Sequence, residues 1–196
     1  DNNGDTFENL WDTNLTSTLT LDTTTNGTNI TFLPNICCGA AVNNTITIAS
    51  AVLGGDFSVS GTDNIIIGTG AGAAIDASAS TGTVFLGADI KNNNWQDSNG
   101  TGQVLMGDSG AYIDMGTSGD LILHAGSGID VNTRGLTNLS VQSNSGNINI
   151  HNSVSGDMNI ISANVSDVDG SNQLAISGVE ILAATDGDDI VLRNDA

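Results

Sequence analysis

Apolar residues in this chain come in pairs separated by one intervening position, and each pair is followed by a short polar turn. Between Ile113 and Ile160 the pairs are Ile113/Met115, Leu121/Leu123, Ile129/Val131, Leu139/Val141, Ile148/Ile150 and Met158/Ile160. Alternation of this kind puts both members of a pair on one face of an extended strand. The pairs follow one another at steps of 8, 8, 10, 9 and 10 residues, so a short strand is predicted at every eighth to tenth position. Gly119-Asp120, Gly146-Asn147 and Gly156-Asp157 each stand just before a strand and mark the turns. The pattern continues less regularly through Leu174/Ile176, Val179/Ile181 and Ile190/Leu192. A strand-plus-turn unit repeated in this way predicts a stack whose paired residues face inward.

Two earlier sections follow different rules. In residues 53–110 three apolar residues run directly into glycine, at Ile65-Ile66-Ile67-Gly68, Val84-Phe85-Leu86-Gly87 and Val104-Leu105-Met106-Gly107, with the glycines 19 and then 20 residues apart. Each triplet predicts a short strand buried on both faces and ended by a tight turn. Between the last two copies, Asn92 to Gly100 reads as a longer surface loop with Trp95 as its packing anchor. Residues 1–52 carry looser strands at Leu15/Leu19/Leu21, Ile30/Phe32 and Ile46/Ile48, with Phe7 and Trp11 placed to cover one end. Only residues 71–79 suggest a helix, and their glycine and serine weaken it. The expected organisation is therefore an N-terminal β segment or cap (1–52), glycine-punctuated β repeats (53–110) and a short-period β shaft (111–196). The fold class is all-β, a β-solenoid or a trimeric β-prism.

Composition narrows the core. Hydrophobic residues make up 38% of the chain but aromatic ones only 4%, so thin layers of Ile, Leu, Val and Ala must fill the interior. Three cationic residues, Lys91, Arg134 and Arg193, face 22 acidic ones, for a formal charge of −19. Such a surface repels phosphate backbones and anionic lipid, which excludes nucleic acid as a partner. No apolar run approaches membrane-spanning length, so membrane insertion is not expected either. Cys37 and Cys38 are adjacent, which strains a disulfide between them, and they read as two small buried residues or as an interchain pair. No signal peptide or initiator Met opens the sequence, so Asp1 reads as the start of a processed subunit or an excised fragment.

Several motifs invite chemistry. Gly68-Thr69-Gly70-Ala71-Gly72 follows a strand, with Asp89 beyond it, as in a dinucleotide-binding turn. That site needs a helix next, and the sequence continues its strand-turn repeat instead. Gly107-Asp108-Ser109-Gly110 echoes the nucleophile motif of trypsin-like proteases, where the histidine base precedes the serine. Here His124 and His151 both follow Ser109, each one residue after an apolar pair, on an outer face or turn where a metal would need symmetry mates. Asp167-Val168-Asp169-Gly170-Ser171-Asn172 and Asp186-Gly187-Asp188-Asp189 are rich in hard oxygen ligands and leave calcium open beside ordinary acidic turns. Paired carboxylates would suit sugar cleavage, but Glu8 and Glu180 are the only glutamates and few aromatics could form a sugar platform. No catalytic residue, cofactor-binding residue or enzymatic activity is expected, and metal ligands are unassigned.

The stretch Asn64-Ile65-Ile66-Ile67-Gly68-Thr69-Gly70-Ala71-Gly72, with its echo at Val84-Phe85-Leu86-Gly87-Ala88, resembles the head repeats of trimeric adhesins and of many tailed-phage fibres. The later run through Gly119-Asp120-Leu121-Ile122-Leu123 and Gly146-Asn147-Ile148-Asn149-Ile150 looks like viral fibre shafts. It is also similar to filamentous haemagglutinin-like β-helix repeats. The resemblance implies a structural fibre outside the cell or on a virion, attaching to a host glycan or protein receptor. A bacterial or archaeal filament subunit or adhesin, donating the strand around Leu15 to Leu21 to a neighbour, is the alternative. A polysaccharide-degrading tailspike is the second.

Assembly follows from rung length. A single-chain coil spends about twenty residues on each turn, so either two strand-turn units make a turn or three chains each supply one side of a prism. The 19- and 20-residue glycine spacing supports the first over residues 65–107. The shorter period after Ile113 supports the second, and a parallel homotrimer is expected, with filament neighbours as the alternative.

Overall fold

A computed structural model describes residues 6–8, 16–22, 30–33, 45–62, 64–91, 96–97, 100–116, 119–153, 156–166 and 173–195, without the side chains of 6–8, 16–22, 30–33, 61–62, 91 and 96–97. The described residues form strands and turns and no helix. β1 (Thr6–Glu8), β2 (Thr16–Asp22), β3 (Ile30–Leu33) and β4 (Thr45–Val52) come first. β5 (Phe57–Thr62), β6 (Asn64–Ile67), β7 (Gly72–Asp76), β8 (Thr83–Ala88), β9 (Ile90–Lys91) and β10 (Gln96–Asp97) follow. Next are β11 (Val104–Met106), β12 (Ala111–Asp114), β13 (Asp120–Ala125), β14 (Ile129–Arg134), β15 (Asn138–Ser143) and β16 (Ile148–Ser153). β17 (Asn159–Ile160), β18 (Ser162–Ser166), β19 (Gln173–Ser177), β20 (Val179–Ile181) and β21 (Ile190–Asp195) complete the chain.

Two large parallel sheets contain all of these except β9, β10, β18 and β19. The first sheet has the rows β1, β3, β5, β8, β13, β15 and, side by side on β15, β17 with β20. The second has β2, β4, the broken row β6/β7, the broken row β11/β12, β14, β16 and β21. Row by row the chain passes from the first sheet to the second and back. The three sections seen in the sequence therefore contribute neighbouring rows to the same two sheets.

This alternation revises how the periods map onto space. Successive pairs after Ile113 lie in opposite sheets, and from β13 to β15 and from β14 to β16 a position meets its next in-sheet partner 18 or 19 residues later, as His124 does with Gln142 and Thr133 with Asn152. Two strand-turn units thus make one circuit there, and the short period does not require a second chain to close it. The glycine triplets behave differently from the expectation. Ile65–Ile67 pairs directly with Val104–Met106 in the second sheet, while Val84, Phe85 and Leu86 lie in β8 of the first. The in-sheet return is 39 residues, as between Asn64 and Gln103, because the antiparallel β9–β10 pair lengthens that circuit.

Parity sets what lies inside. Ile113, Met115, Leu121, Leu123, Ile129, Val131, Leu139, Val141, Ile148 and Ile150 are buried between the sheets with Ile46, Ile48, Ile65, Ile67, Ile75, Val84 and Leu86. Many stack on apolar partners in the adjacent rows, as Leu123 does between Leu86 and Val141 and Ile148 between Ile129 and Ile190, so aliphatic columns fill an interior short of aromatics. The sixth pair keeps the inward column, Ile160 lying opposite the buried Leu139, yet Met158 is only partly buried and Ile160 is exposed, because among the described residues no further row covers β17. Polar side chains also stack in register. Thr133 Oγ1 donates to Asn152 Oδ1 (3.0 Å), Asn152 Nδ2 donates to Asn194 Oδ1 (2.7 Å), and Asn138 Nδ2 donates to Asp120 Oδ1 (2.9 Å). Such ladders fix register, since a slip of one residue would strand each amide in the wrong column.

The hairpin β18–β19 leaves the first sheet between β17 and β20 and lies over its outer face. Ala163 and Ile176 from the hairpin, with Ile90, bury Phe85 of β8 and Ile122 of β13 in a second small core. Of the three glycine triplets, only that of β8 is buried on both faces; Ile66 and Leu105 are half-buried. Among the described residues, no helix is long and apolar enough to cross a membrane.

Candidate functional site: the outer faces of the sheets

The two glycine motifs stack on each other. Residues 68–71 interrupt the row β6/β7 and residues 107–110 interrupt β11/β12, so one chain bulge sits directly against the next. Gly107 N donates to Ile67 O (2.8 Å) and Gly72 N to Gly110 O (2.9 Å). A Cβ on Gly107 would fall inside van der Waals contact with the Gly68 carbonyl oxygen, so glycine is demanded there by a close backbone approach. Gly72 opens a strand, so no helix N-terminus faces the glycines. Asp89 is buried elsewhere, its carboxylate accepting from Gly100 N at 2.8 Å. Asp108 Oδ1 caps the neighbouring bulge by accepting from Gly110 N (2.8 Å), and Ser109 O accepts from Asn132 Nδ2 (3.2 Å).

Sequence spacing gave His124 and His151 equivalent places, but they occupy different sheets. His124 is on the outer face of the first sheet and is buried. Its Nδ1 lies 3.1 Å from Gln142 Oε1, and Gln142 Nε2 donates to Glu180 Oε1 at 2.9 Å, a ladder running across three rows. Glu180 also accepts from Ser177 N, at 3.2 Å, which ties the hairpin base to this ladder. His151 is on the outer face of the second sheet, exposed, with Nε2 2.9 Å from Asp195 Oδ2. Arg193 Nε donates to Asp195 as well, and Arg193 first and His151 second hold that carboxyl below its ordinary range. Near Ile122, the buried Ser140 Oγ meets no hydrogen-bond partner among the described residues.

Of the two acidic stretches, residues 167–172 lie outside the described residues, as do Trp11, Cys37, Cys38, Trp95 and the side chains of Phe7 and Glu8. In the other, the turn itself occupies Asp188: its Oδ2 accepts from Thr185 N (2.8 Å) and Thr185 Oγ1 (3.0 Å), which lowers its pKa. Asp189 N donates to Asn147 Oδ1 at 2.8 Å. Among the described residues no three carboxylate, imidazole or thiol groups converge as metal ligands would.

One concave surface remains that sequence reasoning did not single out. A groove of about 380 Å³ follows the turns at the entry to the second sheet, lined by Gln103, Leu105, Asp130, Asn147, Asn149 and Asp188. Leu105, Asp130 and Asn149 are register partners in successive rows. Their unequal spacing in the sequence, 25 and 19 residues, hides this, because the bulge at residues 107–110 lengthens the first interval. The side chains of Gln103, Asp130 and Asn149 make no hydrogen bond to other described residues, so planar polar groups face solvent beside one apolar wall. That arrangement suits a neutral, hydroxyl-bearing ligand. Ser127 also lines the groove, its Oγ donating to Thr101 O at 2.7 Å. Compared with protein-family models, curated proteins and solved structures, the chain matches none.

Proposed function

We propose that this protein is a β-solenoid that serves as a non-enzymatic structural element of an extracellular or virion fibre and attaches to a host surface. The observation that carries this reading is the in-register two-sheet stack, in which the motifs that suggested chemistry serve the stack itself. The glycine motifs are stacked bulges, His124 belongs to a buried polar ladder, and Asp188 closes a turn. A scaffold of this kind needs no cofactor. The open outer face of the second sheet, with its groove, is the contact surface, and a cell-surface glycan is the partner its amides and carboxylate suit.

The test is to incubate the labelled chain with host-type glycans and measure both retention and product size. Retention without shortened products, lost on Asp130→Ala combined with Asn149→Ala, is the expected result. Shortened products abolished by a single Asp substitution would make the protein a polysaccharide-degrading spike instead.

A further inference from the structure

Every large apolar side chain that stands exposed among the described residues belongs to the last circuit: Ile160 (47%), Leu182 (57%), Ile190 (46%), Val191 (50%) and Leu192 (36%). Ile190 and Leu192 are the register partners of Ile148 and Ile150, which are fully buried one row earlier. The same two apolar columns thus run through the stack and end uncovered. β21 is the edge row of the second sheet, and β17 with β20 is the edge row of the first. Two strand edges that pair with no further row among the described residues, flanking exposed apolar columns, form a template for further strands.

An occupant must bring two rows at once, one per sheet, parallel to the rest and apolar at alternate positions. β1 and β2, the edge rows at the opposite end, meet that specification. Both are parallel to their neighbours, and the register sets Leu19 opposite the buried Ile48 and Leu21 opposite the buried Ala51. We propose that copies of this chain associate head to tail, the β1/β2 end of one seated on the β17/β20 and β21 end of the next, so that both sheets run on through the junction. This rests on the solenoid-fibre reading and gives it a means of elongation. Six inter-strand steps of about 4.8 Å make one stack only about 30 Å long, too short to be a fibre by itself. A heterologous contact of this type does not close on itself, so growth is open-ended.

An unbroken column of register partners joins Asp22 in β2 to Asp195 in β21. At the junction, Asp22 of one copy would therefore lie about one strand spacing, ~4.8 Å, from Asp195 of the next. Arg193, already bonded to Asp195, supplies a cationic neighbour that offsets the second carboxylate.

Sedimentation of the full chain over a concentration series, with cysteine cross-linking, tests this. The expected result is a broad series of oligomers whose size grows with concentration. Leu192→Lys should raise the concentration for assembly about tenfold or more, while Arg134→Gln, in the middle of the same sheet, leaves it unchanged; circular dichroism verifies that both are folded. In a background of Cys37→Ser and Cys38→Ser, mixing chains carrying Asp22→Cys with chains carrying Asp195→Cys should give a disulfide between copies. A cross-link with Asp195→Cys alone would mean tail-to-tail contact and overturn the head-to-tail arrangement, and a monomer at every concentration would overturn association itself. A chain that assembles but is retained by no glycan keeps this inference and removes the attachment reading, and a retained monomer does the reverse.

Discussion

The first and second sheets share one interior yet treat their outer faces in opposite ways. In β13 and β15 every position after the first is buried, whereas β14 and β16 alternate buried with exposed or half-buried positions. The cause is where the insertions leave the stack. β9–β10 follows directly on β8, and β18–β19 departs between β17 and β20, so both spring from the first sheet. The hairpin roofs Phe85 and Ile122, and among the described residues no element covers the outer face of the second sheet. A repeated scaffold thus separates its duties by placing insertions on one side: one face is packed and sealed, and the other carries the polar groove.

The largest effect that sharpens this contrast comes from introducing a carboxylate at outward positions of the two sheets. Ile122→Asp puts an unpaired charge in the small core under the hairpin and should destabilise by about 4 kcal/mol or more, as should Ile150→Asp in the shared interior. Asn149→Asp, outward on the open sheet, should stay within about 0.5 kcal/mol. Denaturant midpoints compare the three, and similar losses at all of them would break both the register and the distinction between faces. Next in size, Ile176→Ala should cost about 2–5 kcal/mol in the roof. Proteolysis should then cut the hairpin while hydrogen exchange in β14 and β16 remains slow; equal loosening of both sheets would mean that the roof and the interior are one unit.

Removing the ladder is a smaller perturbation. Gln142→Ala leaves His124 Nδ1 and Glu180 without that partner and should cost about 1–3 kcal/mol in thermal unfolding, whereas Asn132→Ala on the open sheet should cost less. The smallest effect concerns Asp195, whose pKa is lowered from 3.8 in the folded chain. A lowered carboxyl stabilises the fold above its unfolded pKa, and this contribution disappears as pH falls through the folded value. Asp195→Asn should therefore slightly reduce stability at neutral pH and leave it unchanged at the acid end. A variant that differs most from the parent below pH 3 would contradict the sign.

Much of this architecture was legible in the residues. Parity alone identified the inward sets through Ile150, because burial of one strand face demands alternation and a slip by one residue would expose the whole set. It did not reveal partners. In a parallel stack the partner lies a whole circuit away, and an insertion changes that distance from 19 residues to 39 without altering any local pattern. The near-equal glycine spacings therefore suggested consecutive turns where the chain was switching sheets. The hairpin strands carry the same alternation as the sheet rows, so Leu174/Ile176 reads like another rung although it roofs the stack. The groove was hidden for the same reason, being assembled from Leu105, Asp130 and Asn149 across three rows.

The inter-row ladders also determine how the molecule answers a pull. Hydrogen bonds between rows run along the stack, while the covalent chain runs around it, so tension on the two chain ends loads the terminal row before any inner one. That row, β21, is held through Asn152–Asn194 and six register pairs to β16, and once it peels the next becomes terminal. The circuit from β16 to β21, which carries the β18–β19 hairpin, is a long one. Inner circuits of 18 or 19 residues, as between β13 and β15 or β14 and β16, each lengthen the chain by roughly 60 Å at about 3.3 Å per residue. Force-extension traces should accordingly show a saw-tooth of small, similar steps, with longer ones where the inserted hairpins unravel, making the stack a tether that yields in increments.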